Sequence, residues 1–115
     1  MKSKEEAMKY FENVVNPAIE ELIDEYNQRE GYRTGYCPDP ILFRDKPPVA
    51  EHNGINVKFP NNTEKSVSVC WFEGGDRILI GRIDYVLGSG ANRMYAFQDA
   101  DKEFVKDRIR ELIGE

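Results

Sequence analysis

The sequence predicts an α+β domain: a long N-terminal helix kinked at Pro17, an antiparallel meander of four to five strands, and a C-terminal helix, with both helices on one face of the sheet. Three observations predict it. Apolar residues recur at helical spacing near both ends of the chain. Between about residues 53 and 98 they alternate with period two. No helical pattern interrupts the strands, which is the order of an antiparallel sheet rather than of βαβ units. At 115 residues the chain fits a single domain, residues 1–115.

The first helix is expected from Lys4 to about Arg29. Ala7, Met8, Phe11, Val14, Val15, Ala18, Ile19, Leu22, Ile23 and Tyr26 fall on one side at ~100° per residue. Pro17 lies inside this run, where a proline removes an N–H and crowds the carbonyl four residues back. Asn16-Pro17 also suits the start of a second helix. Because the apolar stripe keeps its phase across the proline, one kinked helix is expected, ended by Gly31.

Residues 32–54 form an irregular segment, with a short strand over Tyr32–Tyr36, an apolar run at Ile41-Leu42-Phe43, and breakers throughout Asp45–Gly54. Ile55, Val57 and Phe59 then alternate with Asn56 and Lys58. A turn follows at Pro60–Glu64, and strands are expected over 66–73, 77–87 and 93–98. The last helix begins near Asp99 or Asp101, whose carboxylates suit the positive end of its dipole. Ala100, Phe104, Val105, Ile109, Leu112 and Ile113 form its stripe.

Glu73-Gly74-Gly75-Asp76 marks a hairpin. A two-residue Gly-Gly loop pairs Trp71 with Ile78 and Val69 with Ile80, and then sets Val67 against Arg82, a charge in an apolar row. A bulge at Gly81, or a three-residue loop, pairs Val67 with Ile83 instead. On that pairing the core face carries Val67, Val69, Trp71, Ile83, Tyr85 and Leu87, joined by Ile55, Val57 and Phe59. The other face carries Ser66, Ser68, Arg82 and Asp84. The three-residue loop adds Cys70, Phe72, Ile78 and Ile80 to it, an apolar patch beside a polar centre.

The composition restricts function. A net charge of −5 with no basic run opposes binding to phosphate backbones. The single histidine, His52, and two separate cysteines, Cys37 and Cys70, complete no common zinc site, so no metal or cofactor is expected. No stretch reaches the ~18 apolar residues of a membrane span. The N-terminus Met1-Lys2-Ser3-Lys4-Glu5-Glu6 lacks a secretion leader's apolar core, so cytoplasmic residence is expected.

No nucleophile, base and orienting carboxylate occur at a telling spacing. Gly88-Ser89-Gly90-Ala91-Asn92 leads into a strand, unlike a phosphate-binding loop. The charges of the last helix interleave as on a solvated face, whereas Glu20, Asp24 and Asn27 stand ready for a basic partner. The expected function is therefore non-catalytic: a small acidic domain of inhibitor, immunity, adaptor or chaperone type, binding another protein or its own copy. The candidate contact residues are Tyr36, His52, Ser66, Ser68, Phe72, Ile78, Ile80, Arg82, Asp84 and Tyr95. The alternative is a ligand-binding or enzymatic domain, with a pocket between the sheet and residues 38–54 lined by Tyr36, His52, Arg82, Asp84 and Tyr95.

Overall fold

Ser3 starts the first helix through a capping box. Its hydroxyl accepts from the Glu6 N–H at 3.1 Å, and the Glu6 carboxylate accepts from the Ser3 N–H at 3.2 Å. The computed structural model describes residues 3–27, 40–44, 47–48, 52–59, 63–82 and 92–114. Within them helix α1 (Lys4–Tyr10) passes through a π-helical turn (Phe11–Val15) into helix α2 (Asn16–Asn27) with no gap.

The π turn sits immediately before Pro17, and the Asn16 N–H donates to the carbonyl of Phe11, five residues back. Proline has no N–H to give and its ring crowds the preceding turn, so a widened turn there relieves a conflict that a regular helix would keep. Ala7, Phe11, Val15, Ala18, Ile19, Leu22 and Tyr26 are buried along the expected stripe, whereas Met8 is exposed. Tyr10, outside that stripe, is buried instead. Its hydroxyl donates to the Ala100 carbonyl at 2.7 Å and its ring stacks on Phe97. Burial pushes its phenol pKa well above the ordinary value.

Five strands follow: β1 (Ile41–Phe43), β2 (His52–Lys58), β3 (Glu64–Trp71), β4 (Arg77–Arg82) and β5 (Arg93–Ala96). They form one antiparallel sheet in chain order. A 3₁₀ turn (Phe97–Asp99) takes Phe97 and Gln98 out of the expected last strand, and helix α3 (Lys102–Gly114) closes the fold. Asp101 caps α3, its carboxylate accepting from the Phe104 N–H at 2.9 Å. The expected strand at 32–36, the cap at Gly31, and Ile83, Tyr85 and Leu87 lie outside the described residues.

The β3–β4 hairpin keeps the two-residue register along its whole described length. Trp71 faces Ile78, Val69 faces Ile80, and Val67 faces Arg82. Neither the bulge nor the three-residue loop is present, and Gly74, with φ 87°, supplies the turn conformation. Asn92 explains why Gly81 stays in line. Its Oδ1 accepts from the Arg82 N–H at 2.9 Å and fills the space a Cβ on Gly81 would need. Ile78 and Ile80, expected on the far face, are fully buried in the core, and Arg82 shares their side.

Three contacts place the helices on that side. Lys65, opposite Val57, donates to the Ile113 carbonyl at the end of α3 at 2.7 Å. Asn53, opposite Val69, donates to the Asn16 side chain. Tyr95, opposite Ile78, meets Phe104 edge to face.

The charges of α3 are not a free solvated face. Lys106, 4 % exposed, pairs with Glu25 at 2.7 Å and Glu21 at 3.3 Å, Lys102 pairs with Glu21, and Arg110 with Glu25. The Lys102 and Lys106 ammoniums lower the pKa of Glu21. Lys106 and Arg110 do the same for Glu25. A depressed carboxylate pKa stabilises the fold above the unfolded value, about 4.3 for Glu, and that contribution is lost as pH falls through the lower folded value. Urea unfolding midpoints should therefore fall as pH drops below about 4, and Glu25→Gln should reduce that fall.

Candidate functional site on the helix-free face of the sheet

Strand alternation fixes what the opposite face, free of the described helices, presents. One row across it is His52, Cys70, Leu79 and Met94; the next is Gly54, Ser68 and Gly81; a third is Phe43, Asn56 and Ser66; a fourth is Ile41, Lys58 and Glu64. The centre is small and close-set. A Cβ on Gly54 would lie 2.8 Å from the Val67 carbonyl oxygen, and Ser68 and Gly81 are buried. The rims are apolar and open: Ile41 and Phe43 on β1, and Met94 on β5, are each more than a third exposed. Phe72, one residue past β3 on the same alternation, is 59 % exposed.

The polar groups of this face are partly engaged with each other. Ser66 donates to Asn56 Oδ1 at 2.9 Å, and the Cys70 thiol lies 3.7 Å from the Ser68 hydroxyl. Burial pushes the Cys70 thiol pKa up, which opposes the thiolate that nucleophilic chemistry needs. His52 is exposed and directly opposite Cys70.

The residues singled out from sequence therefore divide. His52, Ser66, Ser68 and Phe72 belong to the helix-free face, whereas Ile78, Ile80, Arg82 and Tyr95 point to the helices. Tyr36 and Asp84 lie outside the described residues. Of the residues expected to line a pocket, His52 lies on the opposite side of the sheet from Arg82 and Tyr95. Ile41, Phe43, Leu79 and Met94 were missed. Carrying the Gly-Gly register straight through Arg82 would have put Leu79 on this face.

A second polar cluster lies on the helix side. The Arg44 Nη1 donates to Asn53 Oδ1 at 2.7 Å, and its Nη2 stands 3.8 Å from Glu20. Arg44 Nε and Nη2 and Asn27 Oδ1 are buried without hydrogen bonds, and desolvation lowers the Arg44 pKa. Among the described residues no three His, Cys, Asp or Glu side chains converge on a metal site, and no helix is long and apolar enough to cross a membrane. Compared with protein-family models, with curated proteins and with solved structures, the chain finds no match in any of the three.

Proposed function

We propose that this chain is a non-catalytic, cytoplasmic protein-binding domain whose contact surface is the helix-free face of the sheet. One observation supports this above others. Of the five large apolar side chains exposed among the described residues, four (Ile41, Phe43, Phe72 and Met94) belong to this face or continue its alternation, and only Met8 sits elsewhere. Apolar groups that gain most from burial are gathered where none of the described helices reaches.

Strand spacing of about 4.8 Å sets the β1 and β5 rims roughly 19 Å apart, a span suited to a standard protein interface. The small central row lets a partner backbone approach closely between the rims. Charges on the face are mixed, with Lys58 opposite Glu64, so the acidic balance of the chain is not what the face offers a partner. Free Cys70 fits a reducing compartment.

The test is capture from source lysate by immobilised wild type, by a Phe43→Ser/Met94→Ser double variant and by Met8→Ser. Each lost anchor should weaken a captured partner by about 2 kcal/mol, and Met8→Ser should change nothing. A partner held equally by all three proteins would refute the assignment of this face.

A further inference from the structure

Phe72 is the most exposed of the large apolar side chains among the described residues, at 59 %. An isolated exposed phenylalanine is ordinary on a protein surface. What sets Phe72 apart is the turn that carries it. The Gly75 N–H donates to the Phe72 carbonyl at 2.9 Å and closes a four-residue turn over Phe72–Gly75. Gly74 takes the positive φ of 87° inside it. Trp71, set in the core, donates its indole N–H to the Gly75 carbonyl at 3.0 Å. The core therefore grips the turn at both ends. The Phe72 backbone is held while its ring stands in water. Turn chemistry favours Gly, Pro, Asn, Asp and Ser, so the local geometry does not ask for a phenylalanine here.

The ring also has a place on the sheet. Phe72 continues the alternation of β3 onto the helix-free face, two residues and about 7 Å beyond Cys70. Its neighbours on the turn are acidic. Glu73 and Asp76 are both exposed, and exposed Arg77 at the foot of β4 offsets only part of their charge.

We propose that Phe72 is the anchor of the protein-binding face: a pre-set aromatic side chain that enters an apolar pocket on the partner, with Lys or Arg side chains on the pocket's rim to meet Glu73 and Asp76. Two ordering costs ordinarily reduce what an anchor contributes, one for its backbone and one for its side chain. The turn meets the first before binding. An aromatic ring with two rotatable bonds keeps the second small. What remains is the burial of a large ring, the kind of side chain that dominates interface energetics. The acids act at longer range. They steer a cationic rim toward the tip, so they govern association rate and salt dependence.

This inference rests on the proposed contact face and names its anchor and the chemistry the anchor meets. A diazirine-bearing phenylalanine replaces Phe72 or Met94 in the full chain, and each protein is irradiated in source lysate. Position 72 should give a discrete adduct, joined to the partner among apolar residues beside Lys or Arg. Excess unlabelled wild type should abolish that adduct, and Phe72→Ala should need at least about thirtyfold more to do so. Phe72→Ala should melt as wild type does, because the ring it removes is exposed. A Glu73→Lys/Asp76→Lys variant should compete about tenfold less well than wild type in low salt, with the difference shrinking as salt rises. Equal competition by that variant would overturn the cationic rim. An adduct at 94 with none at 72, or equal competition by Phe72→Ala, would overturn the anchor and leave the face standing. No adduct at either position would remove both.

Discussion

Ile80→Ala should destabilise the domain by about 2–5 kcal/mol, while Leu79→Ala, one position away, should cost less than about 1.5 kcal/mol. Ile80 has no exposed surface and packs in the core between the sheet and the helices, so truncation leaves a cavity. Leu79 is half-buried on the other face, between Cys70 and Met94. The comparison reads the hairpin register directly. A three-residue loop would exchange the two positions between faces and invert the order of the effects. Urea unfolding of both variants decides it, since each removes side-chain carbons without adding a polar group.

Asn53→Leu should cost about 3 kcal/mol, and most of that should return when Arg44→Met is added. Asn53 is 2 % exposed and joins two elements: it accepts from Arg44 and donates to Asn16 on α2. Arg44 already holds two buried nitrogens without hydrogen bonds, so losing Asn53 leaves its guanidinium, among the described residues, with the Glu20 carboxylate at 3.8 Å. Breaking a buried polar contact strands a charge, whereas replacing both members by apolar groups removes that penalty and leaves only the half-buried Asn16 amide without this partner. A double-mutant cycle measured by urea unfolding should give a large coupling. Additive losses would show that the two residues act independently.

Periodicity carried most of the architecture. The helical stripe from Ala7 to Tyr26, the alternation from Ile55 to Trp71 and the stripe from Val105 to Ile113 each reflect one dominant force, burial of one face, and that force writes a period into the chain. Errors arose where a second force competed. Arg82 is a charge in an apolar row, which argues from sequence for a bulge at Gly81 or a three-residue loop. The folded chain keeps the row straight because the Asn92 side chain, ten residues on, takes the Arg82 N–H and blocks the space beside Gly81. A contact of that kind leaves no periodic trace. The α2–α3 ion pairs were hidden likewise. Alternating Lys, Arg and Glu on α3 look solvated in isolation, and only the position of Glu21 and Glu25 turns Lys106 into a buried partner. The candidate face was legible in its polar centre, Ser66 and Ser68, but its apolar rims depend on the register of β1 and β5, the two edge strands.

Sheet order that follows chain order lets each hairpin zip onto the last through short-range steps, a topology that shortens the search. The clasp between α1–α2 and the segment Ala100–Gly114 is different, because it joins residues more than 80 positions apart, as Lys106 to Glu25 and Tyr10 to Ala100 do. During synthesis the greasy side of the early helix can meet β1 and β2 first, but the part that packs on α3 must wait until that helix leaves the ribosome. That interval, rather than the assembly of the strands, is when a nascent copy is most exposed to aggregation and to chaperone capture.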